Sequence, residues 1–303
     1  MSPYHTPLSL YMDKIGAYRE KVTPAKEAIF ERGNVLEPFL KAIFERDYSL
    51  PITSKEQSVH AKYDFIRGHV DGVVESDNAI VEFKTSCVTS KDQWGVELTD
   101  EIPKHYLLQT HHYLLIHEEC EKAYVPVFYA SPLKLQILTN LVKKYGVDLN
   151  LLEDVDLQLK LYIVKRNDQI TQLMTKKYIQ FWNNHVIPRI PPNWTTCEDL
   201  LLLFPNSKDE EVLADEQAII AAQNIKCKQE TIKQLEAEIE ANKTLICGKL
   251  KDSSKLVDNE GKKIAAWSQV TSKRFDQTAF KEKYAEIAEQ FYKSMTTRTF
   301  RVF

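Results

Sequence analysis

Residues 69–84 read His69-Val70-Asp71-Gly72-Val73-Val74-Glu75-Ser76-Asp77-Asn78-Ala79-Ile80-Val81-Glu82-Phe83-Lys84. Valines and an isoleucine flank the polar Glu75-Ser76-Asp77-Asn78 stretch, which predicts a β-hairpin. Alternate side chains of a strand share a face. Ala79, Val81 and Phe83 therefore make an apolar face that can take a helix, and Ile80, Glu82 and Lys84 point the other way. Asp71 stands eleven residues before Glu82, so hairpin pairing can bring the two carboxylates together. Converging carboxylates at a strand edge suit a hard divalent cation, most naturally Mg²⁺. Hydrolysis of a phosphodiester uses such an ion, and Lys84 beside it can orient the attacking water or take up its charge. Surface strands also alternate acid and lysine, so this pattern alone is shared with an ordinary solvated strand.

Working outward, two helices carry further polar residues toward this hairpin. Residues 1–46 read as helical, with Pro24 at a first helical position after Thr23 and Ile29, Leu36, Leu40 and Ile43 at helical spacing. Glu37 falls at the edge of that apolar stripe, one turn after Gly33, which leaves room for the acid to reach the sheet. A second helix is expected from Pro103 to His117. On it Tyr106, Gln109 and Tyr113 share one face, and Leu107, Leu108, Leu114 and Leu115 are expected on the other. Strands are expected at 123–129 and 159–164, and a helix from Asp168 to about Val186, closed by Pro188, Pro191 and Pro192. The neighbours His111 and His112 cannot face one ion from a helix and read as packing residues. Lys143-Lys144 and Lys176-Lys177 read as solvated pairs.

The remainder is organised differently. Ala218, Ile225, Ile232, Ile239 and Ile246 recur every seven residues, with Leu235 half-filling a second seam beside the polar Lys228 and Asn242. This predicts a long helix, with a coiled coil as the weaker alternative. From Gly248 to Phe303 there are 12 Lys+Arg against 7 Asp+Glu, a net of +5, so the rest of the chain carries −8 of the overall −3. Trp267, Lys273, Arg274, Phe275, Arg298, Phe300 and Arg301 interleave cations with aromatic rings, as a single-strand binder does, and as a small amphipathic capping module also would. Some of the remaining acidity falls in a segment expected to be helical, Asp209 to Glu216.

The order Glu37, Asp71-Gly72, Glu82-Phe83-Lys84, Gln109…Tyr113 resembles the PD-(D/E)xK nuclease core with its QxxxY helix. More narrowly, Ser2-Pro3-Tyr4…Thr6-Pro7-Leu8…Tyr11, Arg32-Gly33-Asn34…Glu37, Gln109-Thr110-His111 and Phe181-Trp182 are similar to phrases of the YqaJ-type viral recombinases, the phage-lambda-type alkaline exonucleases. The resemblance spans about residues 1–192, and the tail ending Arg298…Phe300-Arg301-Val302-Phe303 matches more weakly an appendage of some phage-type members. It implies an α/β (α+β) fold with a central mixed sheet flanked by helices. It also implies an Mg²⁺-dependent exonuclease, Mn²⁺ substituting, on linear double-stranded DNA ends. Cutting would run 5′ to 3′ and leave 3′ overhangs for a single-strand annealing protein, in a homo-oligomer that is a trimer in several members. Asp71, Glu82 and the Phe83 carbonyl would hold metal and Glu37 would complete the site. Lys84 would position the nucleophile, and Gln109 with Tyr113 would orient the lysine or the substrate. Two positions depart from the pattern: Val70 replaces a proline, and the family's glycine- and serine-containing segment with an arginine, which helps grip the 5′ phosphate, would precede residue 1. An endonuclease of the same fold and an inactive DNA-binding scaffold are the alternatives, though the intact acid–acid–lysine set argues against decay.

Composition bounds these readings. The 303 residues are 43% hydrophobic and 27% charged, as in a globular protein, and only 8 are glycine. No apolar run is long enough to span a bilayer and no secretory leader is expected. Cys87, Cys120, Cys197, Cys227 and Cys247 contain no CxxC pair, which argues against a zinc ribbon and for reduced thiols in a cytoplasm-like compartment; the family resemblance implies a bacterial or phage-infected host cytoplasm. The organisation expected is a nuclease domain at 1–206, a long helix at 207–250 and a basic module at 251–303.

Overall fold

The computed structural model describes residues 5–19, 22–55, 57–149, 159–292 and 297–303, so Ser2-Pro3-Tyr4 lies outside the described residues. The chain divides into two units, Met1–Leu202 and Leu203–Phe303.

In the first unit, α1 spans Pro7–Lys14 and α2 spans Pro24–Tyr48. Thr6 closes a capping box with Ser9, and Thr23 caps α2 just before Pro24, where a missing N–H costs nothing. The buried residues of α2 run from Leu36 to Phe44. Ile29, expected in the same stripe, is exposed, because only the second half of this long helix covers the sheet.

Short strands follow: β1 (Ser58–Val59), β2 (Arg67–Gly68), β3 (Gly72–Val74), β4 (Ala79–Val81) and β5 (Lys84–Cys87). Then come α3 (Lys104–Ile116), β6 (Lys122–Ala130), α4 (Pro132–Tyr145), β7 (Leu159–Lys165), α5 (Asp168–Phe181) and α6 (Cys197–Leu203). β3 and β4 form the expected antiparallel hairpin. β4 and β5 are successive halves of one line, both parallel to β6, and β7 runs antiparallel along β6. The result is a mixed five-stranded sheet.

The alternation at 79–83 sets the layers. Ala79, Val81 and Phe83 pack with Leu36, Phe39, Leu40, Ile43 and Phe44 of α2 and with Leu135 and Leu138 of α4. Ile80 packs on the opposite face with Val70, Val73 and Leu114 of α3. Gly72 is required here, since a Cβ would lie 2.2 Å from Ile52 Cγ2. The helix α4 lies outside the elements expected from the sequence and begins with Ser131 accepting from the Lys134 N–H and with Pro132 in its first turn. On α3 the leucines do not share a face: Leu108 is exposed, Leu107 packs beside Tyr106 and Tyr113, and Leu114 and Leu115 are buried. α5 ends at Phe181 and continues as a π-helical turn, Trp182–Val186. There the Trp182 ring stacks on Phe65 at 4.6 Å.

The second unit holds α7 (Glu216–Leu250), an antiparallel hairpin of β8 (Lys255–Val257) and β9 (Lys263–Ala266), then α8 (Gln277–Lys283) and α9 (Ala285–Glu289). Residues 209–214 are irregular rather than helical, because Asp215 caps α7 by accepting from the Ala218 N–H. Along α7 the heptad residues Ile232, Leu235 and Ile239 are exposed. Among the described residues no helix is long and apolar enough to cross a membrane.

Candidate active site

The hairpin register pairs Gly72 with Val81, so Asp71 and Glu82 are the next residues outward and stand beside each other. Asp71 Oδ2 accepts the Phe83 N–H at 2.6 Å, which ties the acid to the joint between β4 and β5. Glu82 keeps the sheet going by donating its N–H to the Tyr124 carbonyl, and its side chain points away from the apolar α2 face. That side chain is 6% exposed. Lys84 Nζ donates to Glu82 Oε1 at 2.6 Å and to Gln109 Oε1 at 3.2 Å. Gln109 Nε2 donates to the same Glu82 oxygen at 3.0 Å and to the Tyr113 hydroxyl at 2.9 Å. Gln109 thus braces both members of the ion pair, and its spacing of four from Tyr113 places the two on one helical face.

The electrostatics follow from burial. Desolvation pushes the Glu82 carboxyl up to about 7, Lys84 opposes the rise, and Asp71 and Glu37 add to it. Asp71 is raised mainly by burial and held back by the Phe83 N–H, Lys84 and His69. Glu37 is raised by burial and by Asp71, against His69 and Lys41. Burial and the nearby Glu82 push Tyr113 up to about 12, so it remains a neutral hydroxyl. Hydrogen bonds therefore join six of the residues singled out from the sequence, Asp71 to Phe83 and Glu82, Lys84, Gln109 and Tyr113 to one another, while Glu37 acts on Asp71 and Glu82 electrostatically. Gly33 is not needed for this approach, since a Cβ there would meet nothing within 4 Å.

The donor set suits a hard cation. Glu82 Oε2 is buried and has no hydrogen-bond partner, and a charged oxygen in that state is costly without a counter-ion. Asp71 also raises the pKa of both Glu37 and Glu82, and Glu37 adds to the rise at Glu82. Among the described residues, however, no three His, Cys, Asp or Glu side chains close into a ready-made metal cage. Lys84 occupies one oxygen of Glu82 and the Phe83 N–H one oxygen of Asp71. Asp71, the orphaned Glu82 oxygen and the Phe83 main-chain carbonyl could supply ligands, with Glu37 beyond them.

Two aromatic residues complete the support. The Lys84 ammonium lies 4.9 Å from the centre of the Tyr106 ring, and Trp94 stacks behind that ring at 5.5 Å. Tyr106 could be read from the sequence by its place three residues before Gln109. Trp94 could not, since nothing local ties it to α3. His69 lowers the pKa of both Glu37 and Asp71, and burial and the Lys84 charge in turn lower that of His105. A separate groove of about 450 Å³, lined by His60, Leu115, Glu118, Arg166, Thr171 and Lys176, includes none of the seven residues.

Residues 1–119 match the YqaJ-like viral recombinase domain. The similarity read from the motifs therefore holds, and the matched region contains the whole cluster. The chain is also 24% identical over 313 residues to a Bacillus subtilis (strain 168) protein, uncharacterized protein YqaJ, covering 100% of this chain and 87% of that one. Among solved structures it is similar to a phage related exonuclease from Haemophilus somnus 129PT, at 19% identity and a TM-score of 0.38, over 57% of this chain and 77% of that one. An alkaline exonuclease from Laribacter hongkongensis (LHK-Exo) matches at 12% identity and a TM-score of 0.36, over 57% and 84%.

Proposed function

We propose that this protein is a metal-dependent deoxyribonuclease whose site is Asp71, Glu82 and Lys84. The observation that carries the reading is the buried Glu82 with one oxygen held by Lys84 and the other unpartnered, next in register to Asp71. The YqaJ-like match over residues 1–119 supports it.

Asp71, Glu82 and the Phe83 carbonyl would hold Mg²⁺, with Mn²⁺ as a substitute and Glu37 completing the set. When bound, such an ion polarises the phosphoryl oxygen and lowers the pKa of its water. Lys84 directs its ammonium at the attacking water and at the charge growing on the phosphate. Gln109 fixes that ammonium by accepting from it while its amide donates to Glu82. Tyr113 anchors Gln109, and its high pKa keeps it a neutral partner in the site. The substrate is linear double-stranded DNA, degraded from its ends in the 5′-to-3′ direction. The product is a 3′ overhang for a single-strand annealing protein, and the working form is a homo-oligomer.

The test is digestion of end-labelled linear duplex and of covalently closed circles, with Mg²⁺ and with EDTA. Loss of linear duplex with Mg²⁺, sparing of circles, and silence in EDTA are expected. Cutting of closed circles would make the enzyme an endonuclease, and cleavage in EDTA would remove the metal from the mechanism. Binding with no cleavage under any divalent ion would leave a DNA-binding scaffold.

A further inference from the structure

The second unit uses its aromatic residues in a way a folded core does not explain. Among the described residues after Leu203, only Leu250 and Ala288 are buried hydrophobics. Trp267 is 56% exposed, Phe275 74% and Phe300 76%. Large rings left in water are unfavourable unless something covers them.

The cations of the same segment are not neutralised by neighbouring acids. Among the described residues from Gly248 onward, no lysine or arginine is ion-paired with a carboxylate. Lys281 and Lys283 lie over the rings of Tyr292 and Tyr284, and Arg298 donates to the Phe204 carbonyl. Lys255, Lys263 and Ile264 stand exposed on the β8–β9 hairpin, Trp267 extends that ladder through its N–H to the Ser254 carbonyl, and Lys273, Arg274 and Phe275 follow directly.

We propose that the exposed rings of Trp267, Phe275 and Phe300 and the cations Lys273, Arg274 and Arg301 form a binding site for single-stranded nucleic acid, in which the rings stack on bases while the cations neutralise the backbone. An apolar protein partner would account for the rings but not for the net charge of +5 over residues 248–303. A duplex would account for the cations but offers no unstacked base to a ring. Single strands present both a polyanion and free base faces. DNA and RNA share that chemistry. The site lies outside the Asp71–Glu82–Lys84 cluster, and the inference does not depend on the nuclease reading.

The experiment uses the full chain in EDTA, where no cleavage of the probe is expected. Fluorescein-labelled 20-nucleotide oligo-dT, oligo-U and a 20-base-pair duplex are titrated against three proteins: the parent, W267A/F275A/F300A, and K273E/R274E. The substituted side chains are exposed, and circular dichroism with a thermal melt confirms that each variant is folded. Stacking is worth about 1–3 kcal/mol per base, so the aromatic variant is expected to weaken single-strand binding by at least about tenfold and duplex binding far less. Reversing two cations is expected to weaken single-strand binding and to flatten its salt dependence by about one unit or more in the log–log slope. Tighter binding of oligo-dT or of oligo-U identifies the source of the strand, and either supports the site. An aromatic variant that binds single strands like the parent, or that loses duplex and single strand equally, overturns it. A changed oligomeric mass with unchanged oligonucleotide affinity would assign the rings to a second copy of the chain and overturn it as well.

Discussion

The two units handle polar and aromatic residues in opposite ways. In the first, the charges inside are few and held by specific partners, apart from one oxygen of Glu82: Lys84 is largely enclosed, donates to two partners and faces a ring, and Trp94 packs against both Tyr106 and Tyr162. In the second, lysines and arginines lie in solvent and most rings are exposed. A chemical site needs groups whose positions are fixed before the substrate arrives. A surface that accepts a flexible polymer needs only matching charge and open faces. The contrast also appears in the charge: the overall −3 conceals a +5 confined to residues 248–303, offset by −8 spread over the rest of the chain.

Substitutions in the first unit should be sharp and local. The largest effect is expected at Lys84→Ala and Asp71→Ala, each lowering the single-turnover cleavage rate by about 10²- to 10³-fold or more while duplex binding persists. Retained turnover in either would break the assignment. Gln109→Leu removes the brace but not the reacting groups, so a loss of about 10- to 100-fold in rate is expected, as for other supporting partners. Tyr106→Leu should cost about 3- to 30-fold, the range of a partly desolvated cation–π contact, and Tyr106→Phe should restore the rate because the ring remains. If Tyr106→Phe were as impaired as Tyr106→Leu, the hydroxyl rather than the ring would matter. By contrast Lys273→Ala, in the second unit, should leave the rate at saturating DNA unchanged.

A smaller effect bears on stability. The Glu82 carboxyl is raised from 4.5 to about 7 by burial. Without a cation, folding therefore takes up a proton between those values, and this contribution to stability is present below about 4.5 and lost as pH rises through about 7. Glu82→Gln removes that dependence. In EDTA, the melting temperature of the variant relative to the parent should climb as pH rises from 4.5 to 8. A difference that stays flat would show that Glu82 does not titrate in this window.

How much was legible in the sequence depended on how local the determinant was. The hairpin and the pairing of Asp71 with Glu82 follow from a two-residue alternation around one polar turn. The Gln109–Tyr113 face follows from helical spacing. Ile29 misled because periodicity reports a stripe and not the length of the surface beneath it. α4 was passed over although Ser131-Pro132 marks its start, because Leu133 and Ile137 are exposed and blur its buried stripe of Leu135, Leu138 and Thr139. The Trp94–Tyr106 support of Lys84 joins two segments through space, which no spacing rule reveals. In the second unit the interleaved rings and cations were visible, but only their exposure distinguishes an open surface from a core.

The most direct test of the central claim is a side-by-side digestion of 5′-end-labelled linear duplex by the parent and by Glu82→Ala, at saturating Mg²⁺ and with folding checked by circular dichroism. The account predicts progressive loss of duplex with the parent and none above background with Glu82→Ala, which should still bind the DNA. Equal digestion by the two proteins would contradict it.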